Sequence, residues 1–121
     1  MSSPILIQLD SGLAAVHPGD RITGLVRATY VTRVRKLWLR LALVERTKDY
    51  ADVARVAAEV ALATGPLTEV VELPFSVLLP ADAHPGGEAP PYARVGWELR
   101  AWADVPGRDP EAVAPLQVAA R

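Results

Sequence analysis

Apolar and polar residues in this chain alternate more often than they recur at every third or fourth position. Leu37, Leu39, Leu41 and Leu43 are separated by Trp38, Arg40 and Ala42, with Lys36 before them. Alternation sets all four leucines on one face of an extended strand, whereas a helix would scatter them around its axis. The 71–79 segment repeats the pattern, with Val71, Leu73, Phe75, Val77 and Leu79 on one face. So does 95–103, where Val95, Trp97, Leu99, Ala101 and Ala103 oppose Arg94, Glu98, Arg100, Trp102 and Asp104. Three strands that are each apolar on one side need a partner layer, and a second sheet is the simplest one. The predicted interior contains Leu37, Leu39, Leu41, Phe75, Val77, Trp97 and Leu99.

The remaining segments fit the same class. Ile5–Leu9 is a compact strand that ends at Asp10-Ser11-Gly12, and a short apolar piece, Leu13–Val16, leads into His17-Pro18-Gly19-Asp20. Pro-Gly suits the centre of a type II turn, because proline fixes the first φ and glycine accepts the positive second one. The next strand runs from Arg21 to about Val31, and Gly24 within it marks a bulge or a close backbone approach. Residues 51–64 carry two signals. Their alanine content favours a helix, while Val56, Ala58, Val60 and Leu62 alternate with Arg55, Ala57, Glu59 and Ala61 as a strand would. The flanking strands favour the second reading. Ala83–Tyr92, with Pro85, Gly86, Gly87, Pro90 and Pro91, is a long loop, and Ala112–Ala119 is the last strand, with Pro115 marking an edge or a bulge. Eleven prolines and eight glycines at short intervals complete an all-β pattern of about seven to eight strands.

Composition narrows the class. With 121 residues, half of them apolar and 22% charged, the chain has the size of one domain, 1–121, and is not disordered. No apolar run approaches the ~18 residues of a membrane span. Met1–Asp10 lacks a basic start, a long apolar stretch and a small-residue cleavage site, so the expected location is the cytoplasm. The absence of cysteine removes disulfides, thiol catalysis and thiolate metal sites. A net charge of −1 argues against general nucleic-acid binding. That charge is unevenly spread: residues 1–48 hold eight Lys/Arg against three Asp/Glu, and 49–121 hold five against eleven. Pairing across neighbouring strands cancels the imbalance. The sharper alternative is a basic face of Arg27, Arg33, Arg35, Lys36 and Arg40.

Catalytic chemistry finds no constellation. His17 precedes a turn proline and His84 lies in a loop, with no i, i+4 spacing to join them to Asp20, Asp82 or Glu88 as metal ligands. The serines lack a nucleophile-elbow context, and Gly86-Gly87 lacks the following helix of a phosphate loop. Asp49 and Asp52 around Tyr50 form a polar connection, and Asp104 and Asp109 bracket the turn at Pro106-Gly107. The expectation is no enzyme, no cofactor and no metal.

Four motifs, in order, resemble one family. Val16-His17-Pro18-Gly19-Asp20-Arg21-Ile22-Thr23-Gly24-Leu25-Val26 resembles the opening of arrestin-like N-terminal domains, and the aliphatic strand from Leu37 to Glu45-Arg46 follows as it does there. Leu73-Pro74-Phe75-Ser76-Val77 with Leu79-Pro80 is similar to a second family segment, and Val95-Gly96-Trp97-Glu98-Leu99-Arg100-Ala101 to a third, with Trp97 in place of the usual tyrosine. Asp104–Pro110 resembles the turn before the family's final strand. The resemblance implies an immunoglobulin-like sandwich of two antiparallel sheets. It also implies a non-enzymatic interaction or scaffold module, closer to the minimal bacterial proteins of the sporulation-control branch than to the two-lobed eukaryotic arrestins. Eleven arginines against two lysines accord with a GC-rich bacterial genome.

The candidate interaction residues are Trp38, Arg40, Arg100, Trp102, Val56 and Val60. Trp38 and Trp102 fall opposite the aliphatic faces of their strands beside Lys36, Arg40 and Arg100, and exposed tryptophan and arginine are the types enriched at interface hot spots. The alternatives are a tryptophan that covers the sandwich end, and a tryptophan that stacks on a small ligand or carbohydrate. Edge strands present unpaired backbone groups that must be paired, covered or blunted. Pro115 and strand 33–40 are expected to blunt two edges. The 53–63 segment, with few charges and no proline, is the open one. A protein partner is therefore expected, with a homodimer through the 53–63 edge or the tryptophan face as one form of it.

Overall fold

The computed structural model describes residues 4–12, 14–29, 33–65, 70–83, 85, 87–89 and 93–120. Their strands are β1 (Ile5–Leu9), β2 (Arg21–Ala28), β3 (Lys36–Arg46), β4 (Ala51–Thr64), β5 (Val71–Leu78), β6 (Gly87–Ala89), β7 (Ala93–Asp104) and β8 (Glu111–Pro115). They form two antiparallel sheets, β1-β2-β5 and β4-β3-β7, with β6 and β8 pairing successive stretches of β7. The inward faces are those that alternation selected. Leu37, Leu39, Leu41, Phe75, Val77, Trp97 and Leu99 are all buried in one core with Ile5, Ile22 and Val26.

The Pro18-Gly19 turn forms as its sequence requires. Gly19 has φ 89°, and the Asp20 N–H donates to the His17 carbonyl at 2.9 Å. Asp20 also accepts the His17 backbone N–H at 2.8 Å and lies 3.5 Å from its Nδ1. Thr47 organises the β3–β4 connection, its Oγ1 accepting the N–H groups of Asp49 and Tyr50. Asp109 closes the next turn by accepting the Val105 N–H. Each of these polar residues has a local backbone role.

Gly24 is a close approach. It sits opposite Phe75 on β5 and Leu9 on β1. A Cβ there would collide with the Gln8 carbonyl and lie 2.9 Å from the Phe75 ring.

Several expectations are corrected. Residues 51–64 are a strand, but its simple alternation fails: fourteen residues pair with eleven of β3, and register shifts occur at Leu37/Trp38, Leu41/Ala42 and Leu43/Val44. Each shift inserts one residue (Leu62, Ala57 and Ala54) and turns the following side chains over, as a bulge does. Val56 therefore lies beside Ala42 on the outward face, while Val60 lies beside Leu39 on the inward one. Ala83–Tyr92 is not all loop, because Gly87–Ala89 pairs with Ala93–Val95. The last strand stops at Pro115, and Val118 forms a separate parallel bridge to Val16. Strand 33–40 blunts no edge, since β3 lies between β4 and β7. Arg27 faces outward on the three-stranded sheet, across the sandwich from Lys36 and Arg40, so the proposed basic face does not exist. His84, the end of the second strand at Tyr30–Val31 and the Pro90-Pro91-Tyr92 run lie outside the described residues.

Candidate interaction surface

Because the leucines of β3 point inward, Lys36, Trp38, Arg40, Ala42, Val44 and Arg46 point outward. The unbroken register of β3 against β7 sets Trp38 opposite Trp102, Arg40 opposite Arg100, Ala42 opposite Glu98, Val44 opposite Gly96 and Arg46 opposite Arg94. β8 extends three of these rows with Glu111, Val113 and Pro115, and β4 adds Ala61, Glu59, Val56 and Val53 on the other side. The outward face is thus a grid. An aromatic row comes first, then a basic row, then a row of small side chains with one carboxylate, then an apolar row.

The aromatic row is built by its neighbours. The Trp38 and Trp102 rings stack with centroids 6.1 Å apart and planes 19° apart, an offset arrangement that the ring quadrupoles favour. The Arg100 guanidinium lies 4.5 Å from the Trp102 centroid and that of Arg40 5.6 Å, while the Lys36 ammonium is 5.2 Å from Trp38. Both indoles are half-buried. Val56 and Val60 stand exposed at 49% and 38%.

Glu98 is the one buried charged residue among the described residues, at 8% exposure. Arg46 binds it bidentately, NH2 to Oε1 at 2.6 Å and Nε to Oε2 at 3.1 Å. The two residues sit in different rows with Val44 and Gly96 between them. An added Cβ at Gly96 would meet nothing within 4 Å, so the space over this position is open. The hydrogen bonds it donates to Glu98 hold the Arg46 guanidinium above its ordinary pKa, against the opposing effect of burial. A raised cation pKa means that titration of Arg46 removes this stabilisation only as pH rises through arginine's own range, and not below it. Arg46→Ala is expected to lose about 2–3 kcal/mol, because it leaves a buried carboxylate without its charge-assisted bonds. Glu98→Gln should lose less, since the half-exposed Arg46 is resolvated. Urea denaturation of both variants checks the order, and equal losses would contradict it.

Sequence parity placed Trp38, Arg40, Arg100 and Trp102 on the outward face, and register brings all four together. Val56 joins that face and Val60 does not. Parity alone gave no sign of the Arg46–Glu98 pair, because the sequence does not fix how β3 and β7 align. Two hollows flank this pair. One, of about 390 Å³, opens over Gly96 toward Pro115 and Leu116; the other, of about 180 Å³, lies between Arg40, Val53 and Val113. Trp97 lines the larger one, and Trp38 and Trp102 line neither. Among the described residues no three His, Asp or Glu side chains gather as metal ligands, and no helix is long and apolar enough to cross a membrane.

The fold has a solved counterpart. The sporulation control protein Spo0M of Bacillus subtilis superposes with a TM-score of 0.71 at 19% sequence identity, covering all of this chain and 51% of that one. The sandwich is arrestin-like. The sequence motifs had implied this architecture, and the likeness at this identity establishes the fold alone. The chain spans about half the length of that structure. No family model matches the chain, and no curated protein matches it in sequence.

Proposed function

We propose that this single sandwich is a non-enzymatic interaction module of a bacterial cytoplasm, and that it docks a protein partner on the outward face of the five-stranded sheet. The observation that carries this reading is the Trp38–Trp102 stack, held half-exposed between Lys36, Arg40 and Arg100. Stacked rings flanked by arginines supply the aromatic and guanidinium anchors that dominate protein interfaces. A carbohydrate-stacking role is less well supported. Trp102 already carries two guanidinium groups and its neighbouring indole, and neither ring lines either of the two hollows that flank the Arg46–Glu98 pair. Spo0M is titled a sporulation control protein, and a regulatory or scaffold role suits a module of this kind.

Affinity capture from the native lysate tests the reading by difference. A partner held by the parent chain should be lost from the Trp38→Ala/Trp102→Ala variant and kept by Leu78→Ala, which removes an exposed side chain from the opposite sheet. Equal retention by all three contradicts it.

A second copy of the chain is the other occupant considered. Val53, Val56 and Val60 stand exposed on the edge strand β4; a homodimer through this edge would cover all three, and one through the tryptophan face would cover Val53 and Val56. The three bulges of β4 work against long, flat pairing, which favours the face. Light scattering at tens of micromolar should give about twice the 13.0 kDa chain mass, and Val56→Lys or Val60→Lys should restore a monomer if the edge is used. A monomeric parent chain assigns the surface to a different protein.

A further inference from the structure

We propose that Arg40 anchors a carboxylate-binding subsite on this face, so that the docking partner presents an acidic segment: an aspartate or glutamate next to an apolar side chain. The inference rests on the docking reading above and specifies its chemistry. Arg40 stands directly opposite Arg100, and like charges in that relation repel. Of the carboxylates beside the pair, Glu111 is taken by Arg100, whose Nε and NH2 lie 2.6 and 2.5 Å from one of its oxygens. Glu59 lies across from Arg40 on β4, but the ion pairs of this face among the described residues are Arg46–Glu98 and Arg100–Glu111.

The Nε of Arg40 is buried and has no hydrogen-bond partner. Such an orphaned donor is rare in folded proteins and costs the desolvation of the group. A small rotation of the guanidinium onto an incoming carboxylate relieves it. Among the described residues Lys36 likewise forms no ion pair, since Asp104, its cross-strand neighbour, binds Arg35 at 2.8 Å. Among the described residues, Lys36 and Arg40 thus present two cations beside the indole stack that no ion pair neutralises.

The shape of the complement follows. A guanidinium fork matches a planar carboxylate, and the 180 Å³ hollow bordered by Arg40, Arg100 and Val113 has room for one. Glu98 and Glu111 line the same hollow, each bound by its own arginine, so a singly charged carboxylate meets less repulsion there than a dianionic phosphate. The stacked rings alongside accept the apolar neighbour of the acidic residue.

The test follows the arginine Nε–Hε and indole resonances of the whole chain by NMR. The probes are a blocked pentapeptide of alternating glutamate and phenylalanine, the same peptide with glutamine for glutamate, and inorganic phosphate. The glutamate peptide should move the Arg40, Trp38 and Trp102 signals and bind about tenfold or more tightly than the glutamine peptide. Arg40→Gln should reduce it to the level of the glutamine peptide. Glu111→Gln, which frees Arg100, should strengthen it several-fold, a gain that misfolding cannot produce. If both peptides move the indoles equally and Arg40 stays still, the carboxylate subsite is overturned while the docking face stands. If neither peptide moves the indoles, both are overturned. If phosphate displaces the Arg40 signal as strongly as the glutamate peptide, the site is a plain anion site and the acidic-segment proposal fails.

Discussion

Replacing Gly24 with alanine should destabilise the domain by about 3 kcal/mol or more, a large share of what a domain this size has. The reason is space, since Gly24 is not among the residues with positive φ. An added methyl would run into the Gln8 carbonyl of β1 and lie 2.9–3.0 Å from two atoms of the Phe75 ring. A ring contact of that kind yields when the side chain turns. The carbonyl belongs to the backbone of a strand paired over five residues, Ile5 to Leu9, and yields only if β1 moves away from β2. Adding Phe75→Leu to Gly24→Ala should therefore recover little of the loss. Chemical denaturation of the single and double variants measures both effects. A single variant within about 0.5 kcal/mol of the parent would show that β1 separates freely.

Parity is a local property of a strand, and it carried well from sequence to structure. Leu37, Leu39 and Leu41 of β3, the Phe75 and Val77 pair, and the Trp97 and Leu99 pair are buried as their alternation required, and Leu43 is partly buried against the same core. The Pro18-Gly19 turn and the close packing at Gly24 also follow from single residues with strict conformational or spatial needs. Alternation failed in β4, where three inserted residues reverse the faces, and the one between Val56 and Val60, Ala57, puts those two on opposite sides. Nothing in an alanine-rich run shows where a bulge will form, because Ala54 and Ala57 fit either side of a sheet. Relations between strands were invisible for a different reason. The aromatic stack, the Arg40–Arg100 opposition and the Arg46–Glu98 pair all depend on the β3–β7 register, which is set by the whole sandwich. The sequence named the residues of the surface, and their juxtaposition appeared with the fold.

The three tryptophans should respond differently to truncation, with Trp97 far the most sensitive. Trp97→Ala is expected to cost about 3–5 kcal/mol, the range for deleting a large aromatic side chain from a packed core. At 2% exposure Trp97 is among the largest fully buried side chains, and it faces Leu43 across the β3–β7 pairing. Its ring reaches the rim of the sandwich. The Arg55 guanidinium lies 5.8 Å from its centroid and binds Asp82 at 3.1 Å, which joins β4 to the 80–83 turn above the ring. That ion pair is exposed and contributes little by itself, so Arg55→Ala should cost no more than about 1 kcal/mol. Trp38 and Trp102 are half-buried on the outward face, and truncating either should cost about 1 kcal/mol or less, near the range of an aromatic pair interaction. Denaturant midpoints of the three alanine variants give the comparison directly. A large loss for Trp38→Ala or Trp102→Ala would make the aromatic row a structural cover of the sheet and remove its claim to be a docking surface. A small loss, with Trp97→Ala close to unfolding, leaves two indoles that the sandwich holds in place without depending on them for stability.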